Sequence, residues 1–153
     1  MKLYTIGFTH KSAEAFFSLL SNSGVKRVID IRLYNKTQLA GFTKENDLRY
    51  FLKVICDIEY QHELNLAPSK EMLDEYVKNK GSWEAYEKSF INLLSERAVE
   101  DTLNKDDFYD ACLLCSEDEP DFCHRILVAR YLNDKWGGIE VCHLPIMEKS
   151  FLF

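Results

Sequence analysis

Apolar residues fall along this chain in two rhythms, and the switches between them outline its elements. Lys2 to Ile6 is a short, mostly apolar run closed by Gly7, and Val25 to Ile31 is a second, rich in β-branched residues. Both predict strands. Ile58 to His62, Phe108 to Cys115, and Ile139 to His143 after the turn Gly137-Gly138 predict three more. Between them the spacing changes to three and four. Phe16, Phe17, Leu19 and Leu20 mark a helix that Ser12 caps and Gly24 stops near Ser23. Leu48, Phe51, Leu52 and Ile55 mark another, and Met72, Leu73, Tyr76 and Val77 a third. Trp83, Tyr86, Phe90, Ile91 and Leu94 mark a longer one opened by Ser82. Pro120 to about Asn133 predicts a last helix with proline in its first turn. Residues 33–45 are polar and predict a long loop.

Strands alternating with helices predict an α/β fold: a single domain over residues 1–153, with a mostly parallel sheet flanked by helices on both faces. Such sheets bind ligands outside the carboxyl ends of their strands. The chemically capable residues cluster there. Gly7 to His10, including Thr9, follow the first strand. Asp30 and Arg32 end the second, His62 the third, Cys115 and Glu117 the fourth, and His143 the fifth. His124 opens the helix after the fourth strand. The ends of strands one, two and four are therefore expected to converge.

A length of 153 residues and 46% hydrophobic content suit one substantial core. No apolar run reaches the roughly 18 residues that span a bilayer, and the start M-K-L-Y-T-I-G is too polar for a signal peptide. The expectation is a soluble, cytoplasmic protein without a membrane partner. Five cysteines in such a chain favour thiols over disulfides. The net charge of −6 divides unevenly. Residues 1–55 hold nine Lys/Arg against four Asp/Glu, and the remainder ten against 21. The acidic balance disfavours nucleic acid as a partner, while the basic third leaves room for a small anionic ligand.

The densest chemistry lies in A-C-L-L-C-S-E-D-E-P-D-F-C-H-R, Ala111 to Arg125. Cys112 and Cys115 form a C-x-x-C pair, but residues three apart on a strand point to opposite faces, so they do not share a metal. Cys115, Cys123 and His124, joined by His10 or His143, could meet across the loop. No familiar ligand spacing marks such a set, so neither metal nor cofactor is assigned. A helix N-terminus favours a Cys123 thiolate, whereas the carboxylates of Glu117, Asp118, Glu119 and Asp121 oppose it. Cys123 is read as packed. Cys115, Glu117 and His124 are the candidate catalytic residues, His124 because its usual pKa lies near working pH. For Cys115 the plain alternative is a small buried apolar group, and for His124 a capping or core role. Asp30, Arg32, Arg125 and Thr9 are the candidate substrate-binding residues. The arginines suit bidentate contact with phosphate or carboxylate; the alternative is an internal ion pair with Asp30 or Glu117. Tyr34, Tyr50 and Tyr60 are rim or core aromatics, or stacking surfaces for a base.

With T-I-G (Thr5 to Gly7), D-I-R (Asp30 to Arg32), L-L-C-S-E (Leu113 to Glu117), C-H-R (Cys123 to Arg125) and V-C-H-L (Val141 to Leu144), the chain resembles the DUF488 family over about residues 2–145. The resemblance implies a compact α/β domain with no settled activity. Family members often read T-I-G-H-S, whereas Phe8 follows Gly7 here and the nearest histidine is His10. The D-I-R triplet and a cysteine at a strand end are also similar to rhodanese-like domains. Those carry a tight amide loop after the cysteine; the longer acidic Ser116 to Pro120 does not support sulfur transfer.

These readings lead to a small enzyme acting by hydrolysis or group transfer on a small anionic compound, a nucleotide being one candidate, at the carboxyl edge of the sheet. Two alternatives stand beside it: a non-catalytic module binding a nucleotide or a nucleic-acid end, and a thiol-based sensor of metal or oxidant.

Overall fold

The computed structural model describes residues 1–36, 41–118 and 120–146. The chain runs β1 (Lys2–Gly7), α1 (Ala13–Ser23), β2 (Arg27–Asp30), α2 (Glu45–Phe51), β3 (Glu59–His62), α3 (Lys70–Leu73), α4 (Trp83–Glu96), α5 (Val99–Thr102), β4 (Ala111–Cys115), α6 (His124–Trp136) and β5 (Glu140–His143). The five strands form one sheet in the order β3-β2-β4-β1-β5, every pairing parallel. The α/β fold with helices on both faces is as predicted.

The sheet is a two-faced wall. On one face Leu3, Ile29, Ala111, Leu113 and Cys115 pack against Phe90 and Leu94 of α4 and Leu127 and Val128 of α6. On the other, Tyr4, Ile6, Val28, Cys112 and Leu114 pack against Phe16, Phe17 and Leu20 of α1 and Leu48 of α2. Successive residues of a strand alternate between these cores. All five residues of β4 are buried, as a central parallel strand requires. Cys112 and Cys115 therefore belong to opposite cores.

Local signals act where expected. The Ser12 and Ser82 hydroxyls accept from the amides of Ala15 and Ala85, and Gly24 ends α1 in the left-handed region. Several boundaries differ. β2 is shorter than Val25 to Ile31. Residues 105–108 form a 3-10 turn, held by the Asn104 side chain accepting from Asp106, so β4 begins only at Ala111. The second and third predicted helices continue into π-helical turns at Leu52–Cys56 and Asp74–Lys78. Pro120 does not open the last helix. The Cys123 amide donates to the Pro120 carbonyl in a turn, Phe122 is left-handed at φ 58°, and α6 starts at His124 with Cys123 as its N-cap. Within the predicted loop 33–45, residues 37–40 lie outside the described residues, as does Glu119 of the acidic loop. Among the described residues, no helix is long and apolar enough to cross a membrane.

The order β3-β2-β4-β1-β5 means that β4 returns between β1 and β2. The carboxyl ends of these three strands lie side by side, so Gly7, Asp30 and Cys115 share one edge of the sheet.

Candidate functional site

Three assemblies of side chains meet at that edge. The first secures the end of β2. Asp30 is fully buried. Its Oδ1 accepts from the backbone amide and Nε of Arg32, at 3.2 and 2.8 Å. Its Oδ2 accepts from Arg32 Nη2 at 2.7 Å and from the Tyr60 hydroxyl at 2.6 Å. Arg32 Nη2 also donates to the Thr43 carbonyl at 2.8 Å, and the guanidinium lies 5.3 Å from the Phe8 ring centroid. Burial first, and the Asp30 charge second, push the Tyr60 phenol above its ordinary range, so it stays a donor. Asp30 and Arg32 thus form an internal pair that occupies Nε and Nη2, while Nη1 of Arg32 has no hydrogen-bond partner among the described residues.

The second assembly pins the loop after β4. Arg125 is buried, and its Nη1 donates to the Glu117 carbonyl at 2.5 Å and its Nη2 to the Asp118 carbonyl at 2.9 Å. From the β1 side, the Thr9 amide and hydroxyl donate to the Ser116 carbonyl at 3.1 and 2.6 Å. Lys11 Nζ meets Asp118 Oδ1 at 2.6 Å and holds that carboxyl below its usual range. Glu117 presents its backbone to Arg125, while the residue itself is exposed at the rim. The sequence had no signal for this use of Arg125, because both acceptors are carbonyls.

The third assembly carries the reactive groups. Cys115 and Cys123 are joined through their sulfurs as a disulfide, with Cα atoms 7.8 Å apart, where the sequence led to the expectation of thiols; Cys56, Cys112 and Cys142 are free. Arg125 Nη1 lies 3.7 Å from Cys115 Sγ. The Cys115 and Cys123 sulfurs and one ring nitrogen of His124 all lie within 4.8 Å of one another. Cys123 is packed, as read from sequence, but it also lines the cleft and meets Cys115 there, because α6 begins after it and not at Pro120. His10 and His143 stand apart from this group: His10 is exposed beside Asp118, and His143 Nδ1 pairs with the Thr5 hydroxyl at 2.6 Å. Cys112, on the other face, has its thiol pushed up by burial.

His124 Nε2 donates to the Ile31 carbonyl at 2.8 Å, and its ring meets Phe90 edge-on. A carbonyl only accepts, so Nε2 carries the proton and Nδ1 keeps the lone pair. Burial above all, with the Arg125 charge adding to it, lowers the imidazole pKa from 6.5 to about 4, against the upward pull of the Ile31 bond. His124 is neutral at pH 7. In the unfolded chain it protonates near 6.5, so between pH 6.5 and about 4 the unfolded state binds more protons and stability falls with acidification. The full shift corresponds to about 3 kcal/mol. Denaturation at stepped pH should show His124→Gln losing less stability than the wild type over this window; parallel curves would contradict the assignment.

A cleft of about 230 Å³ opens over this third assembly. Cys115, Cys123, His124, Ser116, Glu117 and Arg32 line it, together with the rings of Tyr34, Tyr76, Tyr86 and Phe122. Arg32 and Glu117 therefore share one edge, as expected from the sequence. Of the four expected binding residues, Arg32 lines the cleft, while Asp30, Thr9 and Arg125 hold its frame. Tyr34 is at the cleft; Tyr50 is exposed on α2, and Tyr60 is buried in the Asp30 network. Sequence reasoning missed Tyr76, Tyr86 and Phe122. The first two carried only core-helix spacing, and Phe122 is 65% exposed, an unusual position for phenylalanine that only the fold reveals.

Among known families, the one described as "Domain of unknown function DUF488" matches residues 12–132. No curated protein and no solved structure matches the chain.

Proposed function

We propose, for a chain that belongs to the DUF488 family, an enzyme that hydrolyses or transfers a group on a small anionic compound bearing a planar ring, such as a nucleotide. The observation that carries this reading is the cleft itself: the sulfurs of Cys115 and Cys123 and a neutral imidazole line the same space as four aromatic rings. Aromatic faces hold flat rings at about 1–3 kcal/mol per base, without reading sequence. A volume near 230 Å³ is below the roughly 300–1,000 Å³ of drug-sized pockets, which favours a small molecule over a polymer. Cys115, Cys123 and His124 are the reacting centre, with Nδ1 of His124 the basic nitrogen. Glu117, exposed at the rim, is the group placed to exchange protons with solvent. Arg32 is the contact for the anionic group, positioned by Asp30; Thr9 and Arg125 keep the loop under Glu117 in place. The expected setting is the cytoplasm, without a membrane partner.

The test uses nucleosides, nucleoside monophosphates and ring-free acids of similar charge, with binding followed by ligand-observed NMR and turnover by mass spectrometry. The expected order is monophosphates first, with Phe122→Ala weakening them about tenfold or more while leaving the melting temperature unchanged. Equal binding of ring-free acids, or no effect of Phe122→Ala, would contradict the reading.

A further inference from the structure

We propose that, once a thiol reductant has opened the Cys115–Cys123 disulfide, these two cysteines and His124 form a binding site for one zinc-class divalent cation, with its open coordination position facing the cleft. The inference rests on the proposed use of this cleft and specifies the chemistry available in it.

The donor set comes first. Two sulfurs and one imidazole nitrogen lie within 4.8 Å of one another, on residues that are mostly enclosed. The donors come from two elements brought together, the end of β4 and the start of α6, where Cys123 is the N-cap and His124 the first residue. Thiolate and imidazole together select zinc-class ions over magnesium or calcium, which take oxygen ligands. Three protein ligands with a vacant position are the pattern of a catalytic zinc site, whereas structural sites close with four.

The second observation is independent of the cluster. A histidine that ligates a metal through one nitrogen nearly always donates its other N–H to a carbonyl or carboxylate, which fixes tautomer and ring orientation. His124 makes that bond, from Nε2 to the Ile31 carbonyl at 2.8 Å. The lone pair left for a ligand is on Nδ1. Cys115 has an outer partner as well: Arg125 Nη1, 3.7 Å from its sulfur, supports the thiolate form.

The third concerns the alternative use of two cysteines. The structure joins them as a disulfide, so the ion is taken up once a thiol reductant has opened that bond and freed both thiolates. All three residues also line the cleft, so an ion held by them is accessible to a bound ligand. There it would polarise a ligand oxygen or lower the pKa of a coordinated water.

The experiment uses the reduced, metal-stripped full chain and cobalt(II) as an optical stand-in for zinc. The expected result is one equivalent bound, with thiolate-to-cobalt charge-transfer absorption and tetrahedral ligand-field bands, and displacement by zinc. Cys115→Ser, Cys123→Ser and His124→Ala should each weaken cobalt by more than the roughly 10- to 100-fold that loss of an outer partner costs. Cys112→Ser should leave it unchanged. Because a buried serine can compromise folding, a second measurement uses the wild type alone: bound zinc should slow alkylation of Cys115 and Cys123, read by peptide mass, and not that of Cys56 or Cys142. No stoichiometric binding, binding that survives the Cys115→Ser/Cys123→Ser double variant, or a mass two hydrogens low with no metal uptake would each overturn the site. Nucleoside monophosphate bound to metal-free protein, with no cobalt uptake, overturns the site and leaves the proposed function standing. Cobalt bound at full stoichiometry with no ligand in the cleft upholds the site and counts against the proposed function.

Discussion

Gly7→Ala is expected to destabilise the protein severely and to dismantle the cleft rim. A Cβ at this position would lie 1.5 Å from the Glu117 carbonyl oxygen and 2.5 Å from Arg125 Nη1. The first of these is backbone, and the second is a buried guanidinium already engaged by two carbonyls. Accommodation requires the loop at residues 116–118 to lift off β1 and its carbonyls to leave Arg125. Overpacking of this kind costs about 1–3 kcal/mol, and each hydrogen bond to a charged group lost adds about 1.5–3 kcal/mol. The sum is a large part of the roughly 5–15 kcal/mol by which domains are stable. Denaturant melts should record it. A Gly7→Ala protein as stable as the wild type would mean that β1 and this loop do not approach as described.

Asp30→Asn is expected to cost about 3–5 kcal/mol, the range for breaking a buried ion pair by removing one partner. The carboxylate takes two bonds from the Arg32 side chain and one from Tyr60 with no solvent access. Without its charge, the Arg32 guanidinium remains buried and uncompensated. Arg32→Ala should likewise weaken folding as well as ligand binding, since Arg32 both lines the cleft and completes the pair. The discriminating variant is the double exchange Asp30→Leu/Arg32→Met, which removes both charges and should be less destabilised than either charge-removing single change. If the double variant is the sum of the singles, the two residues are not coupled.

The elements that sequence revealed are those governed by neighbours in the chain. Ser12, Ser82 and Gly24 act within their own helix ends, and the apolar runs that became β1 and β4 need only a sheet to bury them. The convergence of Gly7, Asp30 and Cys115 also followed, because a parallel sheet brings strand ends to one edge whatever the strand order. What escaped depended on single backbone turns and distant packing. Cys123 meets Cys115 because Phe122 adopts a left-handed conformation and delays α6 to His124. Pro120, the residue with the strongest local preference for a helix start, pointed elsewhere. Tyr76 and Tyr86 reach the cleft from segments some 30–40 residues earlier than Cys115, and their spacing announced only helical faces. Arg125 was legible as a cation, but the loop groups it holds at Glu117 and Asp118 are carbonyls, which every residue has.

The most direct test of the central claim, that the working site is the cleft over Cys115, Cys123 and His124, is crystallographic mapping with a set of ring-bearing anionic fragments. A larger, more apolar groove runs between α1 and α2 beside Phe17, Phe42 and Phe51, and it offers rings an alternative without any thiol or imidazole. Fragments are expected between Tyr34 and Phe122 with their charged end toward Arg32. Fragments collecting only in the groove beside Phe17, with the cleft empty at the same concentration, would contradict it.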